Sequence, residues 1–335
     1  MTELNRRRIL MGAATAGAAT ALTPIVAYSP ARAAAPPAGK QVPGWYRYKV
    51  GTIEVTAVTD GARTAPIPDN YISNANKDAI NAALGALYFE KDKLTTPFTP
   101  IVVNTGSKLV VIDTGLGPNM FEQSKGAVGQ FHTNLAAAGI DRNAVDTVII
   151  SHFHADHING LLTADSKPAF PNAEIMVPAT EWAYWSDDGN MSKAPAGGLV
   201  ESVFKNERRV FGALGNKVTP YSPDKELAPG ITSLASYGHT PGHTSHVVSS
   251  GSAKVLVQVD VTAGVAGLFV RNPGWYQMFD MDGPMTEQTR HKIYDMAASE
   301  KLLIQAYHLP FPALVYIEKS GTGYREIPVP WNPTI

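Results

Sequence analysis

The chain has 335 residues, with 28 Lys+Arg against 29 Asp+Glu, nine His and no Cys, for a formal charge of −1. Without cysteine there is neither a disulfide framework nor a thiolate metal site. The balanced charge argues against a protein that grips phosphate backbones, and the length allows one domain of the larger kind with a substantial core.

In chain order, the first element is a leader. Asn5-Arg6-Arg7-Arg8-Ile9-Leu10-Met11 puts a basic cluster before an Ala-, Gly- and Thr-rich apolar stretch up to Tyr28, and Ala31-Arg32-Ala33 closes it. That order predicts a signal peptide over residues 1–33. The paired arginines with Ile-Leu after them suggest the twin-arginine route, which exports folded proteins. The expected location is periplasmic or secreted, with no stable membrane anchor after cleavage. Losing the leader takes Lys+Arg from 28 to 24 and Asp+Glu from 29 to 28, a formal charge of −4. No basic surplus remains, so nucleic acid is not an expected partner. Residues 34–44, rich in Ala, Pro and Gly, read as an extended arm, and residues 45–335 as a single domain.

Strands are predicted over Tyr46–Val58 and Phe98–Ile112, helices over Lys77–Glu90 and Gly129–Ala138, and a buried strand over Val145–Ile150. Further on, Glu174–Val177 and Gly230–Ser236 read as strands, Glu201–Leu214 as mixed and helical, Thr286–Glu300 as a helix, and Leu302–Val329 as short strands. The segment Val102–Asp113 is echoed by Val247–Asp260: apolar strand, tight turn, apolar strand, then Asp. Such a duplication predicts an α/β fold of two mixed β-sheets packed face to face with helices outside, and a site between two related halves.

The chemistry concentrates after Ile150. His152-Phe153-His154-Ala155-Asp156-His157 sets three imidazoles and a carboxylate in six residues at a strand end. In extended chain His152 and His154 project to one side, while Asp156 and His157 fall on the turn that follows, offset for a second ion. Further donors must come from elsewhere, since catalytic zinc keeps a position open for water. The loop Gly238-His239-Thr240-Pro241-Gly242-His243-Thr244-Ser245-His246 and the segment Tyr307-His308-Leu309-Pro310 supply candidates. His132 and His291 lie in polar, helical-looking stretches and read as surface residues.

The motif HxHxDH at His152–His157, His243 within GHTPGH, Asp260 and His308 resemble the ligand set of the metallo-β-lactamase superfamily. The segments Gly44–Arg47, Val103–Val110, Gly238–Thr244 and His308–Pro312 look like the methyl parathion hydrolase group. The resemblance implies an αβ/βα sandwich and two divalent ions, zinc first, with iron, manganese or cobalt as alternatives. It assigns His152, His154 and His243 to one ion, Asp156, His157 and His308 to the other, and Asp260 to both. His239 and His246 are candidate supports of a ligand ring, as is Asp113, whose strand-end position suits an acceptor orienting an imidazole.

The activity implied is metal-assisted hydrolysis, in which two ions sharpen a bridging water to attack carbon or phosphorus and Asp156 or Asp260 carries a proton to the leaving group. Small phosphotriesters, lactones and aryl esters are the expected substrates. A dedicated lactonase or carboxylesterase is the alternative, and a β-lactamase or a non-catalytic metal binder follows behind. Acyl-homoserine lactonases usually carry Tyr three residues after the bridging Asp, where this chain has Ala263. Aromatics around Phe121, across Trp182, Tyr184, Trp185 and Phe204, and over Phe269–Met285 are candidate pocket walls. The resemblance favours Phe121, Trp185 and Phe204. A homodimer is compatible with all of this.

Overall fold

Tight turns cut the long predicted strands into hairpins. Tyr46–Val58 is two strands, β1 (Trp45–Val50) and β2 (Ile53–Val58), because Gly51 adopts a left-handed φ of 59° and reverses the chain. The next two, β3 (Gly61–Pro66) and β4 (Lys93–Phe98), pair as a separate ribbon that no sequence pattern suggested. Phe98–Ile112 likewise divides into β5 (Ile101–Asn104) and β6 (Leu109–Ile112). A first seven-stranded sheet runs β1-β2-β5-β6-β7-β8-β9, completed by β7 (Thr147–Ile149), β8 (Glu174–Pro178) and β9 (Thr219–Tyr221). It is antiparallel from β1 to β6 and parallel from β6 to β9.

The second sheet also has seven strands, side by side in chain order. They are β10 (Glu226–Ala228), β11 (Ile231–Ala235), β12 (Thr244–Ser250), β13 (Ala253–Val259), β14 (Leu303–Ala306), β15 (Leu314–Ser320) and β16 (Gly323–Pro328). Only its β13–β14 pair is parallel. The two halves therefore share a plan: a hairpin (β5–β6 or β12–β13) whose second strand pairs in parallel with the next element of its sheet.

This computed structural model describes residues 38, 39 and 41–335, and Pro43–Ile335 make one compact unit. The expected leader at 1–33 and part of the arm at 34–44 lie outside the described residues. Successive side chains on the central strands face opposite ways, which is why these strands read as unbroken apolar runs. Val103, Val110 and Ile112 meet Ile231, Val248 and Val255 between the sheets. Their neighbours Val102, Val111 and Val148 turn outward onto Phe131, Leu135, Val210 and Phe211 of the helices Phe131–Ala137 and Leu199–Ala213. On the other side, Leu256, Ile304 and Val315 pack on Ile293, Tyr294 and Ala297 of helix Gly283–Glu300. The result is a four-layer α/β sandwich with two mixed sheets at its centre. Helix Gly283–Glu300 starts three residues before its predicted position because Asp282 caps it through the Met285 amide, with Pro284 in its first turn.

Candidate metal centre

The site forms where both sheets end together. After β7 the chain stays extended, so Phe153 enters the core against Phe211, 4.7 Å between ring centroids, and the flanking His152 and His154 face the other way. A single helical turn, Ala155–Ile158, then swings Asp156 and His157 round to a second position. From the other half, Asp260 follows β13 and His308 follows β14.

Two groups of donors result. His152, His154, His239 and Asp260 converge in one, and Asp156, His157, His308 and Asp260 in the other, with ligand atoms in each group within 4.8 Å of one another. Asp260 belongs to both: its Oδ2 lies 3.3 Å from His239 Nε2, and its Oδ1 lies 3.4 Å from His157 Nε2 and 3.2 Å from His308 Nε2. His154 Nδ1 sits 3.0 Å from both His152 Nε2 and His239 Nε2.

One assignment changes. His239, expected as a support, contributes to the first group, and His243, expected as a ligand, does not. Both ring nitrogens of His243 are already occupied. Its Nε2 accepts from the Asp260 amide at 3.0 Å, and its Nδ1 lies 2.9 Å from the Ser236 carbonyl and 2.8 Å from the Ser236 hydroxyl. His243 instead fastens the loop carrying His239 to the strand end carrying Asp260.

Outer partners fix the ligand rings. Asp113 accepts from the Ser151 amide at 2.9 Å, the Ser151 hydroxyl at 2.7 Å and His157 Nδ1 at 2.8 Å. The Ser151 hydroxyl also meets His152 Nδ1 at 3.0 Å, so one carboxylate orients an imidazole in each group. His308 Nδ1 donates to the Pro97 carbonyl at 2.8 Å, and His239 Nδ1 to Asp280 at 2.9 Å. Asp280 is held at 2.9 Å by the fully buried Arg290, which also bonds the Val261 carbonyl at 2.9 Å. Buried Glu181 clasps the His239 loop through the Thr240 hydroxyl and the Gly242 amide. Sequence reading missed Asp280, Arg290 and Glu181, because none lies near a ligand in the chain.

His246 touches no ligand; its Nε2 is 3.3 Å from the Tyr221 hydroxyl inside the second sheet. His132 and His291 are half-buried rather than solvated, one bonded to the Gly160 carbonyl at 2.8 Å and the other 3.1 Å from the Tyr324 hydroxyl.

Residues 99–260 match the family described as Metallo-beta-lactamase superfamily. The chain carries a metallo-beta-lactamase superfamily domain. Among solved structures, hydrolase AbOPH of the beta lactamase superfamily is 26% identical, with a TM-score of 0.78 over 88% of this chain and 100% of that one. AidC, described as a dizinc quorum-quenching lactonase, is 23% identical, with a TM-score of 0.78 over 86% of this chain and 98% of its own. An RNase J-like protein of Methanocaldococcus jannaschii is 23% identical over 61% of this chain, which spans only 42% of that relative.

The donors of this metallo-beta-lactamase domain fit cations. His157 Nε2 and Asp260 Oδ1 are buried without a hydrogen-bond partner among the described residues, although buried polar atoms are nearly always paired. Burial pushes the Asp156 and Asp260 carboxyls up, but His157 and His308 outweigh it, holding Asp156 at about 2 and Asp260 well below the usual range. Burial and His239 bring His154 down to about 3. Burial alone would lower His239 as well, yet Asp260 and Asp280 raise it to about 9. Against its burial, Asp156, Asp260 and Asp113 likewise raise His157 well above its ordinary value, so His157 and His239 mark where the ionised carboxylates demand positive charge.

A cavity of about 510 Å³ opens over the donors, reaching His154, Asp156, His239, Asp260 and His308. Its walls are Tyr71, Leu94, Phe98, Val203, Met278 and Phe279, most of them apolar. The three aromatics expected there are elsewhere. Trp185 is fully buried, donating to Glu181 and packing 4.7 Å from the ring of Phe204, itself fully buried in the helix-side core. Phe121 is 44% exposed and lines no part of the cavity. Helix Leu199–Ala213 presents Leu199, Ser202, Val203 and Asn206 to the cavity, and Phe204, one residue on from Val203, points away. Phe279 comes from the Phe269–Met285 segment, one of the three aromatic stretches considered.

Proposed function

We propose that this protein is an exported, dinuclear metal-dependent hydrolase that cleaves ester-type bonds in small, largely apolar molecules. Phosphotriesters, lactones and aryl esters are its substrate classes. The observation that carries this reading is the pair of donor groups sharing Asp260 at the floor of a mainly apolar cavity. His152, His154 and His239 would hold one ion and Asp156, His157 and His308 the other, with Asp260 common to both. Two such ions, zinc by the preference of imidazole and carboxylate donors, would supply Lewis acidity and a lowered pKa for water.

The chain's own groups do the rest. Asp113, Asp280 and the Pro97 carbonyl fix which imidazole nitrogen faces inward. Asp156 is the ligand carboxylate with the more open side chain, 19% exposed against 3% for Asp260, and it lines the cavity. It is therefore placed to take up the proton released on attack and pass it to a leaving oxygen. Apolar walls seat an acyl, aryl or alkyl group and exclude bulk water. A dedicated lactonase is the second reading, motivated by the fold likeness to AidC.

Metal analysis of purified protein, together with turnover of a paraoxon-type triester, an aryl ester, a lactone and a cephalosporin, tests the reading. Two metal equivalents with ester, lactone or triester turnover abolished by chelation support it. Bound metal with no turnover of any of them would leave a metal-binding protein.

A further inference from the structure

The helical turn that carries Asp156 and His157 is too short to hold itself. It is a single turn, Ala155–Ile158, and it passes directly into the tighter turn Asn159–Leu161. In a longer helix the Asp156 carbonyl would accept from the amide four residues on, that of Gly160. Here the Gly160 amide donates to the Gly115 carbonyl at 3.2 Å instead. Outside groups therefore hold the turn. Thr114, just after β6, donates its amide at 2.9 Å and its hydroxyl at 2.7 Å to the His157 carbonyl. From the other half of the chain, the Tyr307 hydroxyl donates to the Asp156 carbonyl at 2.5 Å.

Tyr307 does more than satisfy one carbonyl. It is buried, and its ring lies over that of His157, with 4.2 Å between centroids and 30° between planes. His157 is thus held on two sides, by Asp113 at Nδ1 and by the Tyr307 ring on its face. Tyr307 also directly precedes His308, whose own ring is fixed by the Pro97 carbonyl and by Phe98, 5.4 Å between centroids. One side chain therefore reaches Asp156 through its backbone, His157 through its ring and His308 through the chain. With Asp260, these are the whole second donor group. Phe98, Val128, Leu116 and Met120 pack Tyr307 in place. In the first group, the rings of His152, His154 and His239 contact one another, and none of them contacts Tyr307 among the described residues.

We propose that Tyr307 is a positioning residue for the second donor group alone, tying Asp156 and His157 from one half of the fold to His308 from the other. Affinity for the second ion, and not for the first, then depends on its hydroxyl. This rests on the dinuclear reading above and deepens it. Asp156 and His157 follow β7 while His308 follows β14, so the group spans two sheets. Donor atoms serve an ion only while they keep to within about 0.5 Å of the productive arrangement. Without the hydroxyl, the Asp156 carbonyl is left unpaired and the short turn shifts towards another donor. The Asp156 carboxylate and the His157 ring then move, while His308 stays with Pro97.

Cobalt(II) titration of metal-free protein, read by visible absorption and by competition with a chelator, tests this in two backgrounds that each spare one donor group. His239→Ala spares the second group, and His308→Ala spares the first. Adding Tyr307→Phe to His239→Ala is expected to weaken the remaining ion about ten- to hundredfold, the range for losing an outer partner. Adding it to His308→Ala should leave the remaining ion within about twofold. General damage to the fold would weaken both, since both doubles carry the same substitution. Tyr307→Leu, which also removes the ring over His157, should have the larger effect in the His239→Ala background. On its own, Tyr307→Phe should keep one equivalent as tight as wild type and lower kcat for an aryl ester about tenfold, with KM within about twofold, until excess metal restores it. Equal weakening in the two backgrounds, weakening only beside His308→Ala, or no weakening in either would overturn the proposal. Two equivalents and ester turnover in wild type would then still leave the hydrolase reading standing. Fewer than two equivalents in wild type would sink both together.

Discussion

Asp113 and Asp260 close corresponding hairpins in the two sheets, yet only Asp260 faces the metal positions. Asp113 is spent: its two oxygens take three hydrogen bonds, from Ser151 twice and His157 once. Asp260 keeps an oxygen free because its nearest anchor, His243, bonds its amide and not its carboxylate. Backbone geometry sets them apart too. In the first half Asp113 itself is left-handed, with φ 59°, whereas in the second the preceding Val259 takes φ 53° beside an irregularity in the β13–β14 register. A left-handed, β-branched valine is a genuine outlier, of the kind that surrounding packing has to hold in place at functional sites. A one-residue shift of the turn thus separates a carboxylate that orients the donor rings from one that stands among the donors.

The contrast can be broken most severely at Asp260. Asp260→Ala should reduce kcat by at least about a thousandfold and lower bound metal from two equivalents, because both groups lose a donor. Elemental analysis beside single-substrate kinetics reads both, with circular dichroism expected to show an intact fold. Next in size is the exchange of roles between the two loop histidines. His239→Ala should remove one metal equivalent and about a hundredfold of kcat. His243→Ala should keep both equivalents and lose about 1–3 kcal/mol of stability, since the Asp260 amide is left unpaired. The reverse pattern would restore His243 as the ligand.

Asp113→Asn sharpens the comparison from the other side. A ten- to hundredfold weakening of metal affinity is expected for both equivalents, through Ser151–His152 and through His157, measured by competition with a chelator. An acid limb probes the first half in a different way. Burial, aided by Arg142 and only partly opposed by the Gly160 carbonyl, lowers His132 from 6.5 to about 4. The folded chain therefore holds His132 neutral where the unfolded chain protonates. Stability is full above about pH 6.5 and falls as pH drops towards 4, by on the order of 2 kcal/mol from this group. Denaturation midpoints across that range should flatten in His132→Gln. The smallest effect belongs to Phe121→Ala, expected to leave KM within about twofold, while Phe279→Ala, on the cavity wall, should raise it several-fold.

Much of this was readable in one dimension. The HxHxDH run, the apolar strands with their terminal Asp residues and the echo between Val102–Asp113 and Val247–Asp260 all follow from local periodicity and side-chain chemistry, which survive without a fold. Six of the seven expected metal donors, His152, His154, Asp156, His157, Asp260 and His308, fall in the two donor groups. The exception is instructive. His239 and His243 are four residues apart in one Gly- and Pro-rich loop, with the same side chain and near-identical neighbours, so only their nonlocal partners distinguish them. Trp185 and Phe204 failed as pocket residues for a related reason: an aromatic at a site-facing element carries no mark of which way it points.

The linear chain thus determined which donors exist, that they stand at strand ends and that two related halves supply them, because those properties belong to residue type and spacing. Tertiary structure alone decided which imidazole nitrogens remain unpaired, which carboxylate is consumed by hydrogen bonds and which aromatics reach the cavity. Each of those depends on atoms brought together from distant parts of the chain, such as the Asp260 amide on His243 and Asp280 on His239. Hydrogen bonding is short-ranged and saturable, so a donor's availability is settled only once its neighbours in space are known.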